Sequence, residues 1–136
     1  MKATDLMIGD WVKTGHLDYN KVQEIARDND MLWYISFDCS AALLRAYEFE
    51  PVPLTPEILE KNGFCFVKSS DRDTVWNGWW IYKGLELGVC CLDREGNWPC
   101  FINIDDSNIK CEYVHQLQHA LRLCKLDELA DNFKIQ

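Results

Sequence analysis

Positive charge is scarce in this sequence. Its 136 residues include 14 lysines and arginines against 22 aspartates and glutamates, for a formal net charge of -8, and no run of Lys or Arg interrupts this balance. Non-specific affinity for nucleic acid comes mainly from Lys and Arg that neutralise phosphates. We therefore expect no direct binding to nucleic acid or to an anionic membrane. The charge favours a basic protein partner instead.

Long apolar segments are absent as well. No segment approaches the roughly 20 apolar residues of a membrane helix, and the first residues contain no apolar run of signal-peptide length. Apolar residues still make up 48% of the chain. This proportion predicts a packed globular protein rather than a disordered one, and the length fits one domain or two closely associated half-domains.

The motifs of common catalytic sites are missing too. The sequence has no Gly-x-Ser-x-Gly elbow, no phosphate-binding glycine loop, no His-Glu-x-x-His and no Cys-x-x-Cys. The seven cysteines are irregularly spaced, mostly among apolar neighbours. Free cysteine behaves as a small apolar residue, so we expect reduced core thiols in a cytoplasmic protein.

One short helix has a complete set of local signals. Thr55 suits the N-cap, Pro56 the first helical position, and Gly63 the left-handed position after the end. Leu54 and Leu59 are spaced to form a hydrophobic staple. The segment predicts a helix over residues 55–62 that joins two different parts of the chain.

The remaining patterns predict an α+β fold. Residues 1–53 contain short strand and turn signals typical of a small bent sheet or barrel, of the Src-homology-3-like kind. Residues 54–136 predict the linking helix, an antiparallel β-meander over 64–113 and a C-terminal helix over 114–124 that packs with it. The two parts are either half-domains or one compact domain.

Two local patterns carry more specific expectations. Asn77-Gly78 lies between apolar segments and predicts a hairpin turn. On the C-terminal helix, Val114, Leu117, Ala120, Leu121 and Cys124 share one face. The opposite face, which carries His115, Gln118, His119 and Arg122, is expected to be solvated.

Both faces of the predicted meander are apolar. Neighbouring residues of a strand point to opposite faces of its sheet, so Trp79 and Ile81 face away from Trp80 and Tyr82. A sheet with one face in water shows clean alternation of apolar and polar residues, which this segment lacks. We expect the second face to be covered by the N-terminal part or by another chain. The residues predicted to form a protein interface are Trp79, Trp80, Tyr82 and Trp98.

Three segments resemble a known group of proteins. Ile8-Gly9-Asp10, Pro53 to Phe64 (Pro-Leu-Thr-Pro-Glu-Ile-Leu-Glu-Lys-Asn-Gly-Phe) and Tyr113 to Gln118 (Tyr-Val-His-Gln-Leu-Gln) occur in this order. They are similar to the signatures of small uncharacterised proteins of gut Bacteroidales genomes, prophages and mobile elements. The resemblance implies a cytoplasmic bacterial or phage protein, and it carries over no activity, ligand or catalytic residue.

The sequence therefore favours a non-enzymatic interaction module that self-associates or binds another protein, with no cofactor. A first alternative is a small metal- or thiol-dependent enzyme that uses His115 and His119, four residues apart on a helix, with Cys111 as a further ligand. This set is short of a zinc motif, and a solvated helix face is the favoured interpretation of the histidines. A second alternative is an acidic decoy that mimics nucleic acid.

Overall fold

The computed structural model confirms an α+β fold. It describes residues 5–14, 18–27, 33–37, 40–45, 49–68, 76–83, 85–90, 100–104 and 107–136. The chain divides into two compact units. The first comprises Met1–Pro53 with Tyr113–Asn132, and the second comprises Leu54–Glu112 with Phe133–Gln136.

The first unit contains a five-stranded antiparallel sheet. Its strands are β1 (Trp11–Thr14), β2 (Asp18–Arg27), β3 (Trp33–Phe37), β4 (Ser40–Arg45) and β5 (Glu50–Pro51), in the order β4-β3-β2-β1-β5. The ten-residue β2 pairs with β1 through its first part and with β3 through its second part, and the register shifts between Val22 and Glu24. A bulge at such a point bends a strand, which agrees with the predicted bent sheet. The Ala-Ala-Leu-Leu sequence within Ser40–Arg45 would also suit a helical turn, but this segment is the strand β4.

Two helices complete the first unit. These are α2 (Val114–Leu123) and α3 (Asp127–Asp131). The apolar stripe of α2 is buried as predicted at four positions, Val114, Leu117, Ala120 and Leu121. A second group of buried side chains lies around the sheet and consists of Leu6, Val12, Val22 and Phe49, with Ile25 packed against it.

The second unit contains α1 (Pro56–Lys61) and a five-stranded antiparallel meander. The strands are β6 (Cys65–Lys68), β7 (Trp76–Tyr82), β8 (Leu85–Cys90), β9 (Cys100–Ile104) and β10 (Ser107–Cys111), in the order β10-β9-β8-β7-β6. None of the described helices of the chain is long and apolar enough to cross a membrane.

The capping signals of α1 are confirmed. The hydroxyl of Thr55 accepts a hydrogen bond from the Ile58 amide at 3.3 Å, and Gly63 has a φ of +85°. The amides of Gly63 and Phe64 donate to the carbonyls of Glu60 and Leu59, both at 3.1 Å. This pair of bonds is the Schellman motif, which ends the helix after Lys61.

The hairpin predicted at Asn77-Gly78 is wrong. Both residues lie inside the continuous strand β7, and the chain turns after it, at Lys83, whose φ is +44°. A Cβ atom on Gly78 would lie 2.6 Å from the carbonyl oxygen of Val67 and 2.6 Å from the ring of Phe66. Gly78 therefore serves the close approach of β6 to β7, and not a turn.

The predicted boundary after residue 53 coincides with the division between the units, but the C-terminal segment is grouped differently. The sequence assigned the helix over 114–124 to the second part, whereas Tyr113–Asn132 belongs to the first unit. The return is made by backbone pairing, because Tyr113 forms a β-bridge with Pro53 and the Val114 amide donates to the Val52 carbonyl at 2.9 Å. The chain returns to the first unit through contacts between residues about 60 positions apart, which no local sequence pattern indicates.

Candidate functional site

A buried carboxylate lies at the centre of a polar cluster in the first unit. Asp10 has a fully buried side chain. Its Oδ2 is 2.6 Å from His119 Nε2, and its Oδ1 accepts a hydrogen bond from Arg122 Nη1 at 2.7 Å. We call these three residues the Asp10 cluster. The amide of Met7 also donates to Oδ2 at 2.7 Å. Burial of a carboxylate is tolerated when it is paired and hydrogen-bonded in this way.

Local backbone geometry positions Asp10. Gly9 has a φ of +92°, a conformation that favours glycine. Its amide donates to the Val22 carbonyl at 2.7 Å, and the Val22 amide donates back to the Asp10 carbonyl at 2.9 Å. The turn at Ile8-Gly9 is therefore attached to β2, and Asp10 is held against the polar face of α2.

Gln118 links the same turn to both helices. Its Oε1 accepts from the Trp11 amide at 3.0 Å, while its Nε2 donates to the carbonyls of Gly9 at 3.0 Å and Ala130 at 2.9 Å. The side chain is fully buried, and all three backbone groups are satisfied by one amide. The prediction that Gln118 is exposed to solvent is wrong, because the N-terminal turn covers its side chain.

His115 is buried as well, with 6% of its surface exposed. Its ring stacks on Tyr113 at a centroid distance of 5.9 Å and meets the edge of His119 at 5.8 Å. Burial lowers the pKa of His115 below its ordinary value of 6.5, and the nearby Asp10 carboxylate opposes this effect. The Nδ1 atom is buried without a hydrogen-bond partner. His115 is therefore a neutral imidazole at pH 7.

Cys111, the third residue of the metal or thiol hypothesis, is also uncharged. Burial raises the pKa of its thiol to about 12, and the thiol donates to the Ile109 carbonyl across 3.8 Å. A neutral thiol is neither a good nucleophile nor a metal ligand. Within the described residues, no group of three or more His, Cys, Asp or Glu side chains is arranged to hold a metal ion. His119 itself is engaged by Asp10.

The Asp10 cluster is thus a hydrogen-bonded network, with an ion pair between Asp10 and Arg122, that ties the N-terminal turn to α2. Sequence analysis missed Asp10 and Gln118 as key polar residues. A signal for both was present, because they lie in two of the three signature segments, Ile8-Gly9-Asp10 and Tyr113 to Gln118. The structure brings these two segments into direct contact.

The meander of the second unit carries the predicted interface residues, and its two faces differ in burial. Strand register aligns Phe66, Trp80, Leu87, Ile102 and Ile109 in one cross-strand row. The three central residues of this row are buried, whereas Phe66 and Ile109, at the two edges, are 46% and 36% exposed. We call this side the Leu87 face.

The opposite side carries apolar side chains on β6, β7 and β9 that are not fully buried, and charged side chains on β8 and β10. The neighbouring row aligns Val67, Trp79, Gly88, Phe101 and Lys110. We define the Trp79 face as the apolar side chains on this side of the sheet, namely Cys65, Val67, Trp79, Ile81 and Phe101. Each of them is either partly or largely exposed. Glu86, which pairs with Ile81, and Lys110, which pairs with Phe101, lie on the same side, so this face is mixed and not wholly apolar as predicted.

The four predicted interface residues are therefore not equivalent. Trp79 lies on the Trp79 face and is half-buried. Trp80 lies on the Leu87 face, is only 7% exposed, and has its ring 5.2 Å from that of Phe66. Tyr82 is half-buried, with its ring 5.3 Å from that of Phe64. Trp98 lies outside the described residues.

Comparison of the chain with protein-family models, with curated proteins and with solved structures finds no match. The resemblance to the Bacteroidales and prophage proteins stays a prediction, as do the enzyme and decoy alternatives.

Proposed function

We propose that this protein is a non-enzymatic interaction module that binds another protein through the Trp79 face of its second sheet. The observation that supports the proposal is the contrast between the two faces. Both carry apolar side chains, but Leu87 and Ile102 at the centre of one face are fully buried, whereas none of the five apolar side chains of the Trp79 face is. Exposed apolar patches of this kind are typical of protein interfaces.

The composition of the face suits such a role. Tryptophan and other aromatic residues are enriched among the residues that dominate binding energy, and Trp79 and Phe101 occupy the same cross-strand row. Gly88, which has no side chain, lies between them in that row. Trp79 is accordingly the strongest candidate for an anchor residue. Trp80 and Tyr82 contribute to the structure of the sheet.

The proposal extends to location and partner class. Cys65, Cys111 and Cys124 are free thiols among the described cysteines, and free thiols are typical of a reducing cytoplasm. The formal charge of -8 favours a positively charged partner, because complementary charge steers association. We therefore propose a cytoplasmic protein with a basic protein partner, in a bacterial or phage context.

Site-specific photo-cross-linking in the native host tests this function. A photoreactive phenylalanine analogue replaces Val67, which is 49% exposed at the edge of the Trp79 face. The matched control carries the same analogue at Leu123, an exposed apolar residue of α2. We expect one discrete cross-linked species from position 67 and none from position 123. No adduct at position 67, or the same set of adducts from both positions, would contradict the proposal.

A further inference from the structure

One edge of the Trp79 face is a strand that has a neighbour on only one side among the described strands. Among the described strands, β6 pairs with β7 and lies at one end of the sheet order. All four of its residues, Cys65 to Lys68, are exposed. An exposed edge strand presents unpaired amides and carbonyls, which form a template for one more strand.

The other edge of the same sheet, β10, carries a charged pair. On β10, Lys110 forms an ion pair with Glu112 at 2.7 Å, and both side chains are about half exposed. Charged side chains on an edge strand discourage pairing with another chain. On β6 the three residues before Lys68 are a cysteine, a phenylalanine and a valine. Both edge strands carry one lysine, but that of β6 lies at its end after three uncharged residues, whereas that of β10 lies inside the strand and is paired with Glu112.

From this contrast we propose that β6 accepts an extended, positively charged segment of the partner as a sixth strand of the meander. The inference rests on the proposed function and names the binding mode and the partner chemistry. Main-chain hydrogen bonds to β6 supply affinity in this mode, and alternate side chains of the added strand supply specificity. One set of side chains meets Phe66, and the other set meets Cys65 and Val67.

Charge decides between a basic segment and a second copy of this chain. Each copy carries a formal charge of -8, so self-association brings like charges together, whereas a basic segment is attracted. The size of the contact agrees, because four residues of β6 are far fewer than the roughly 20 to 30 residues per partner of a standard stable interface. An added peptide strand does not need such an area.

Two synthetic peptides provide the test. The basic probe alternates lysine and valine over seven residues, and the acidic probe replaces each lysine by glutamate. Binding to the full chain is followed by NMR titration of the isotope-labelled protein. We expect saturable binding of the basic probe, with the shifts concentrated on β6 and β7. We expect the acidic probe to bind at least about tenfold more weakly.

Two isomers of the basic probe, N-methylated at odd or at even positions, test the backbone contact. Only one of the two sets of amides faces β6 in a strand pair, so one isomer loses binding and the other keeps it. Phe66→Ser weakens binding, whereas Ile109→Ser is the control, because Ile109 occupies the opposite end of the same row.

Several outcomes would overturn strand addition. Equal binding of the parent probe and both methylated isomers would show docking through side chains only. No saturable binding of the basic probe, or equal binding of the acidic one, would remove the partner chemistry. A dimer cross-linked at position 67 would identify a second copy as the occupant. A cross-linked partner at position 67 without peptide binding would overturn this inference but leave the proposed function standing.

Discussion

Asp10 and His119 are 109 positions apart in the sequence, yet Oδ2 of the first lies 2.6 Å from Nε2 of the second. The contact joins the N-terminal turn to α2. Asp10 also accepts from Arg122, so a single buried carboxylate engages two side chains of one helix face. Gln118 makes a second link between the same turn and α2, because its side-chain amide bonds to the backbone of Gly9 and Trp11.

Replacement of the central carboxylate tests the role of the Asp10 cluster. Asp10→Asn keeps the size of the side chain but leaves Arg122 without its buried counter-charge. Breaking a buried pair from one side costs about 3 kcal/mol. We expect this loss in the free energy of unfolding measured by urea denaturation at pH 7.

The matched control for this change is Glu86→Gln, which removes an exposed carboxylate on β8. It should alter the free energy of unfolding by no more than about 0.5 kcal/mol. Equal effects of the two substitutions would show that the Asp10 cluster contributes no more than surface charge does.

His115 should make stability depend on pH in a defined direction. Its pKa in the folded state is lowered from 6.5, chiefly by burial. Well above pH 6.5, His115 is neutral in both the folded and the unfolded state, so its ionisation has no effect on stability. As the pH falls below 6.5, the unfolded chain binds a proton that the folded protein does not, so stability decreases until the folded pKa is reached.

The measurement compares wild type with His115→Phe by urea denaturation between pH 5 and pH 8 (about one and a half units on either side of the ordinary histidine value). Phenylalanine keeps a ring beside Tyr113 but cannot titrate. The difference in stability between the two proteins should be constant at high pH and should shift against the wild type below pH 6.5. Parallel curves across the whole range would mean that His115 is not a neutral, buried imidazole.

The thiols should differ widely in reactivity. With a pKa of about 12, Cys111 has only about one thiolate in ten thousand molecules at pH 8, and it is buried. Cys65 is exposed on β6. Peptide mapping after brief treatment of the native protein with iodoacetamide should find Cys65 modified well before Cys111. In the urea-unfolded control the two thiols should react at similar rates. Equal rates in the native protein would show that Cys111 is not buried.

Gly78 should not tolerate a side chain. Gly78→Ala places a methyl group 2.6 Å from the backbone oxygen of Val67, which cannot move without disturbing the pairing of β6 with β7. We expect a loss of about 2 kcal/mol in unfolding free energy, as for overpacking elsewhere. Lys83→Gly is the control, because φ at this position is +44°, where glycine is unstrained. A tolerated Gly78→Ala would show that the close approach of β6 to β7 does not require glycine at this position.

Features with local causes were predictable from the sequence. Thr55, Pro56 and Gly63 act within a few residues of α1, and each has its expected role. The apolar residues on both sides of β7 were likewise predictable, whereas Glu86 on β8 and Lys110 on β10 make the Trp79 side mixed. Short-range sterics and hydrogen bonding determine such features, and both can be deduced from neighbouring residues.

Features that depend on distant contacts were missed. Gln118 reads as a solvated helix residue because nothing near it in sequence shows that Gly9 and Trp11 will cover it. Asn77-Gly78 satisfies the rule for a hairpin, but a neighbouring strand imposes the glycine. Alternation along β7 correctly placed Trp79 and Trp80 on opposite faces of the sheet. Which of the two faces is buried depends on tertiary contacts that the sequence does not show.

The most direct test of the central claim is amide hydrogen exchange along β6. Exchange at Cys65 to Lys68 is measured on the full chain with and without a saturating amount of the basic lysine–valine peptide. Strand addition predicts that alternate amides of β6 become protected, while those of the opposite edge strand β10 exchange as before. Unchanged exchange throughout β6 in the presence of bound peptide would contradict the claim that this edge is where a partner docks.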